Sequence, residues 1–229
     1  MDHLLNGIHQ FHSQVFAREK EFFSQLAEGQ SPSALFISCS DSRVDPNLIL
    51  QADPGELFAL RNAGNLVPPY GASNGGEGPS IEYAVAVLGV KHIVVCGHSQ
   101  CGAIKAILDP TSTEKLPAVR AWLQHAETTR RIIAENYSRL SGDELLDAAI
   151  QEHVLVQIEN LQTHPVVAAA LQRGDLTLHA WVYRLESGQI LSFSSESEAF
   201  EPLQSLMVAA GGKPKRTPGS VRKAKKKRP

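Results

Sequence analysis

The chain predicts an α/β fold: a mainly parallel central β-sheet flanked by helices. Two observations carry that reading. Short apolar runs alternate with segments of helical periodicity, the pattern of β–α–β units. Two of those runs also end directly at Cys- and His-bearing motifs, and sites on parallel sheets gather at the carboxyl ends of strands.

From Leu4 to Leu26, apolar residues recur at helical spacing (Leu4, Ile8, Phe11, Val15, Phe16, Phe22, Phe23) and predict an amphipathic helix. Its aromatic stripe either lies on the body of the same chain or embraces a partner subunit. After Pro32, the run Ala34-Leu35-Phe36-Ile37 predicts a buried strand with Cys39 just past its end. A second strand is expected at Leu57-Phe58-Ala59-Leu60, followed by the loop Arg61-Asn62-Ala63-Gly64-Asn65. Ser80 to Gly89 predicts a helix, with Ile81, Ala84, Val85 and Leu88 on one face. His92 to Cys96 is a third buried strand, ending at Gly97-His98, and a helix is expected from about Gly102. Leu116 to Tyr137 and Asp143 to Gln172 are read as mainly helical. Thr177 to Tyr183 alternates like a strand and is expected to pair with Gln189 to Phe193 across Ser187-Gly188.

The 229 residues suit one domain with appended segments, and 42% hydrophobic content is enough for a core. The start, Met1-Asp2-His3-Leu4-Leu5-Asn6, lacks the basic region and apolar run of a signal peptide. No apolar stretch reaches the roughly 18 residues of a membrane span. Three cysteines argue against a disulfide framework and for a reducing cytoplasm. The net charge of −2 conceals a split: Pro202 to Pro229 holds nine of the 22 basic residues and no Asp or Glu, leaving 13 against 24 elsewhere. Three regions are therefore expected: a helical arm over 1–30, an α/β body over 31–200, and a disordered basic tail over 201–229. No aromatic is interleaved in the basic run of the tail to stack on bases, so specific nucleic-acid binding is not expected.

Cys39, His98 and Cys101 can offer two thiolates and one imidazole to a metal. Zinc favours such ligands, and a catalytic zinc keeps one position open beside three protein ligands. Cys39 opens Cys39-Ser40-Asp41-Ser42-Arg43, while His98-Ser99-Gln100-Cys101-Gly102 follows 59 residues later. A metal that acidifies its water makes hydroxide near pH 7. Asp41 can reach the open position or take a proton there, and Arg43 can form a forked pair that holds Asp41 off the metal and ionised. Cys96, inside an apolar run, is read as core filler, and the other eight histidines as structural.

These residues resemble the β-class carbonic anhydrases. Cys-Ser-Asp-Ser-Arg, Arg-Asn-Ala-Gly-Asn and Gly-His-Ser-Gln-Cys-Gly are similar to three marker segments of that family, in the same order, and the similarity runs from the N-terminal helix to about Phe193. Asn74 to Gly78 and Arg43 to Asn47 look most like the cyanobacterial carboxysomal branch. The resemblance implies the β-carbonic anhydrase fold and the reversible hydration of CO₂ to bicarbonate and a proton. It implies one Zn²⁺ per chain on Cys39, His98 and Cys101, with zinc hydroxide attacking CO₂. Asp41 would orient or deprotonate the nucleophile, Arg43 would hold Asp41, and the Gly102 amide would contact substrate. In a closed state Asp41 would become the fourth zinc ligand.

A dimer or larger self-assembly is also implied, with the N-terminal helix packing on a neighbouring subunit. Some members carry a regulatory bicarbonate site, whose positions here hold Phe36, Arg61 and Tyr183; Phe36 stands where that site has a Trp and lacks an indole N–H. The resemblance places the protein in the cytoplasm and, for the narrower branch, inside carboxysomes, supplying CO₂ or bicarbonate for carbon fixation. There the basic C-terminal tail would offer a contact for a scaffold protein. Two other readings share the motifs: a non-catalytic scaffold subunit, against which the Asp41–Arg43 pair counts, and a hydrolase of CS₂ or COS.

Overall fold

The computed structural model describes residues 1–203. Strands β1 (Ala34–Cys39), β2 (Leu57–Asn62), β3 (His92–His98), β4 (Thr177–Tyr183), β5 (Ile190–Ser194) and β6 (Ala199–Pro202) build one sheet. Its order is β2-β1-β3-β4-β5-β6. β1 pairs in parallel with β2 and β3, and β3 with β4, while β5 and β6 add antiparallel. β1 is buried at every position, as expected for an inner parallel strand covered on both faces. The chain leaves β1 outward to β2 and returns on the other side of β1 to form β3. That reversal opens a crevice at the carboxyl ends of β1 and β3, and Cys39 and His98 are their last residues.

One sheet face, carrying Leu35, Ile37, Ile93, Val95, Ala180 and Val182, packs into the main core. The helices are α1 (Asp2–Gln10), α2 (Lys20–Glu28), α3 (Pro46–Leu50), α4 (Glu77–Glu82), α5 (Gly102–Leu108), α6 (Pro117–Leu123), α7 (Glu127–Asn136), α8 (Gly142–Gln162) and α9 (Pro165–Gln172). α8 lies along β3 and β4 and buries Ile150, His153, Val154 and Gln157. The approach is close at Gly97, where a Cβ would stand 2.8 Å from Val154. Among the described residues, the other sheet face carries a small cluster of Phe36, Val94 and Cys96, flanked by Leu50, Trp181 and Tyr183.

The expected elements are present, with several boundaries redrawn. The single helix expected from Leu4 to Leu26 is instead α1, a π-helical stretch Phe11–Phe16, and α2. At Glu19 the backbone leaves helical geometry (φ −113°, ψ 31°). The bend lets Phe23 fold back onto Phe11 and Phe16, with centroids 5.6 and 5.2 Å away. The arm buries none of its residues against the body, and Leu4, Leu5, Ile8 and Phe11 stay exposed.

The segment read as helical to Gln172 divides into α8 and α9 at Pro165, which has no N–H to continue the ladder. Ser80 to Gly89 resolves into the end of α4 and a π-helical turn Tyr83–Val87. Two elements lie outside the sequence reading: α3, capped by Asp45 Oδ1 accepting from the Leu48 amide, and the edge strand β6. The tail expected to be disordered lies outside the described residues from 204 onward. Among those described, no helix is long and apolar enough to cross a membrane.

Candidate metal centre

Cys39, His98 and Cys101 converge in a buried cluster whose ligand atoms all lie within 4.8 Å of one another. Cys39 ends β1, His98 ends the buried run of β3, and Cys101 immediately precedes α5. The turn between His98 and Cys101 places Gln100 at φ 58°, a left-handed conformation that non-glycine residues adopt sparingly. It lets the Gln100 carbonyl face Arg43, whose Nη2 donates to it at 3.4 Å.

The donor atoms fit a zinc ion. His98 Nδ1 lies 2.9 Å from the Ser99 carbonyl, which can only accept, so Nδ1 bears the proton and Nε2 the lone pair. Nε2 is buried and has no hydrogen-bond partner among the described residues. An orphaned lone pair in such a place is costly unless something coordinates it. The two sulfurs stand 4.0 Å apart. Two thiolates on one tetrahedral zinc, with bonds near 2.3 Å, would be spaced by about 3.8 Å. All three cysteines are free thiols. The Cys101 thiol, directed at Cys39, pulls the Cys39 pKa down, assisted by the Gly64 amide; Cys101 is pushed up in exchange and by burial.

Asp41 flanks the cluster, its Oδ2 3.9 Å from His98 Nε2. Arg43 holds it by a fork, Nε donating to Oδ1 at 2.9 Å and Nη2 to Oδ2 at 2.8 Å, while the Arg43 amide adds a bond to Oδ1 at 3.0 Å. This pairing holds the Asp41 carboxyl well below the usual carboxylate range, so it stays ionised. Arg61, at the end of β2, donates to the carbonyls of Cys39 (3.1 Å) and Asp41 (2.9 Å) and so fixes the backbone between them. Gly102 opens α5, leaving its amide without an intrahelical acceptor.

Phe36 belongs to the small cluster on the opposite sheet face, against which Tyr183 also packs, with Trp181 edge-on to Phe36 at 6.2 Å. Arg61 projects from the same face as Phe36 by register. Trp181 Nε1 is buried without a partner among the described residues. Cys96 is fully buried, and desolvation pushes its thiol up to about 12, consistent with core packing.

Several supporting residues escaped the sequence reading. Gly64 donates its amide to Cys39 Sγ at 3.4 Å. Ser99 is pinned by Glu186, at 2.6 Å to its hydroxyl, and by the Leu185 amide at 2.9 Å, which steadies the carbonyl facing His98. The one available signal was Gly64 inside Arg61-Asn62-Ala63-Gly64-Asn65; the Glu186 contact spans 87 residues and leaves no local pattern.

Comparison with known proteins bears on this arrangement. The family model for carbonic anhydrase matches residues 34–190. A carbonic anhydrase of Synechocystis sp. is 50% identical over 210 residues, spanning 91% of this chain and 77% of that protein. The solved structure of the β-carbonic anhydrase CcaA superposes with a TM-score of 0.87 at 50% identity, covering 88% of this chain and 98% of that one. One of two tetrameric β-carbonic anhydrases from Sordaria macrospora is similar at 31% identity, with a TM-score of 0.77 over 84% of this chain and 96% of that one.

Proposed function

The chain belongs to the β-carbonic anhydrase family and is a carbonic anhydrase, an enzyme of reversible CO₂ hydration; on that premise we propose that Cys39, His98 and Cys101 hold one zinc ion per chain and that the reaction occurs beside them. The observation that carries this is the buried, partnerless His98 Nε2 converging with two sulfurs. Zinc there would lower the pKa of a bound water to about 7 and so supply hydroxide at neutral pH.

The chain's own groups do the rest. Asp41, held ionised by Arg43, accepts a hydrogen bond beside the cluster and by that bond orients the nucleophile. Arg43 keeps both Asp41 oxygens engaged and therefore off the ligand atoms. Release of that fork would leave Asp41 a short movement from the cluster, given the 3.9 Å separation, and a closed state with Asp41 as fourth ligand follows. The free amide of Gly102 is the donor for a substrate oxygen.

A regulatory anion site at Phe36, Arg61 and Tyr183 is a further reading. Two donors of Arg61 are occupied by backbone carbonyls, and Phe36 offers none. The nearby unpartnered indole of Trp181 is the group that would replace the missing N–H. The exposed apolar residues of α1 and the π-helical stretch, Leu4, Leu5, Ile8, Phe11 and Val15, support packing on a neighbouring subunit in a dimer or larger assembly. A cytoplasmic enzyme feeding carbon fixation, held in carboxysomes through its basic tail, is the cellular role we infer from the Asn74 to Gly78 and Arg43 to Asn47 segments.

Stopped-flow CO₂ hydration from pH 6.5 to 9, with zinc measured on the same sample, tests the proposal. Turnover with about one zinc per chain is expected. Turnover in metal-free protein would overturn it.

A further inference from the structure

Cys39 is reached from inside the protein by a relay of hydrogen bonds that begins on the helices. His153 on α8 is fully buried. Its Nε2 lies 2.8 Å from the Gly64 carbonyl, and its Nδ1 lies 3.1 Å from Thr129 Oγ1 on α7. A carbonyl can only accept, so Nε2 carries the proton and Nδ1 accepts from the Thr129 hydroxyl. Both ring nitrogens are thereby satisfied in one tautomer of the neutral imidazole. Desolvation agrees, pushing the His153 pKa down to about 4.

The group this histidine grips is a turn under conformational constraint. Gly64 has φ +84°, and a Cβ there would stand 2.9 Å from Ala103 Cβ on α5. The next residue, Asn65, is also left-handed at φ 45°. Trp122 on α6 takes hold of the preceding carbonyl, its Nε1 donating to Ala63 at 2.8 Å. Two side chains from two helices thus clamp successive carbonyls of one turn. The product is the direction of the Gly64 N–H, which points at Cys39 Sγ. A backbone donor on a thiolate favours its ionised, metal-binding form, and such outer groups commonly govern metal affinity.

We propose that His153 and Trp122 are positioning residues for the metal centre: they clamp the Ala63–Gly64 turn so that the Gly64 amide stays aimed at the Cys39 thiolate. The inference rests on the zinc reading above. Neither residue touches the metal ligands, so both act through Gly64.

The test is zinc affinity, measured by competition with a chromophoric chelator on the full-length protein, alongside the thiolate-to-cobalt charge-transfer band of the Co²⁺ form. His153→Leu, close in volume but without donors, is expected to weaken zinc binding about 10- to 100-fold. His153→Gln places an amide N–H the same number of bonds from Cβ and should restore affinity to within about threefold. Trp122→Phe, at a partly exposed site that should not endanger folding, is expected to weaken binding several-fold and shift the cobalt band. Thr129→Val removes only the outer bond to His153 and should leave zinc affinity within about twofold. Equal losses in the Leu and Gln variants, or unchanged affinity in Trp122→Phe, would overturn the clamp. If His153→Leu does not fold, Trp122→Phe decides the matter. A wild-type chain that binds no zinc would overturn the functional reading itself, a separate result from variants that match a zinc-loaded wild type.

Discussion

Cys39 and Asp41 stand two residues apart and are held from opposite sides. Cys39 is fixed from the interior side, by a turn that α8 grips through a buried bond to Gly64 and α6 through a more exposed one to Ala63. Asp41 is fixed from the solvent side, by an arginine whose side chain is 54% exposed. Buried hydrogen bonds with no water to replace them resist opening, whereas an exposed ion pair opens cheaply. The contrast assigns different tasks to neighbouring residues: an immobile ligand, and a carboxylate whose partner can let go.

The largest expected effect breaks the immobile half. Cys101→Ala removes one of three ligands, and zinc content should fall from about one per chain toward zero while turnover drops roughly 10³-fold or more. Metal analysis and stopped-flow hydration on one sample check it. Full zinc retention in this variant would mean the cluster is not the metal site.

Next comes the movable half. Asp41→Asn keeps the shape but loses the charge and the acceptor pair, and turnover should fall on the order of 10²-fold with zinc content unchanged. Arg43→Lys should behave similarly, because an ammonium cannot form the fork seen at 2.8 and 2.9 Å. Loss of zinc in Asp41→Asn would erase the distinction between the two halves.

This division also marks how far the sequence could be read. Both ends of the site lie within short local patterns: Cys39 to Arg43 fits in five residues, and His98 to Cys101 follows an apolar run that reads as a buried strand. The parallel sheet was legible for the same reason, since β1 is buried throughout and β3 from Ile93 onward. The supports were not. His153 sits 89 residues from Gly64, and nothing in the periodicity of α8 separates it from an ordinary core histidine. The bend after Phe16 was equally hidden, because apolar spacing describes a helix face and says little about where a ring cluster will fold it. Edge strand β6 is too short, at four residues, to rise above its surroundings.

The interior half predicts a pH dependence. His153 titrates near 4 in the fold against an ordinary 6.5, because burial disfavours its charged form. Between those values the unfolded chain binds a proton that the folded chain refuses, so stability falls as pH drops from 6.5 to 4. For this fully buried group the loss amounts to about 3 kcal/mol. Urea unfolding of wild type and His153→Gln across pH 4 to 7 isolates it, since other titrations cancel in the difference. Parallel curves would mean that His153 is not held neutral.

The smallest expected effect is the most discriminating for the solvent half. Arg43 lies at the surface, where solvent screens its charge, and ion pairs of this kind contribute little to folding. The strong depression of the Asp41 pKa therefore reports a local preference for the ionised carboxylate, not a pillar of the fold. Arg43→Ala should move Tm by less than about 3 °C. Its turnover should nevertheless fall with that of Asp41→Asn, because the freed carboxylate can swing toward His98 Nε2, 3.9 Å away. A pair that matters for activity and hardly at all for stability is what a releasable restraint requires. A Tm drop as large as that of a core substitution would show the arginine to be structural, and the contrast between the two sides of the site would fail there.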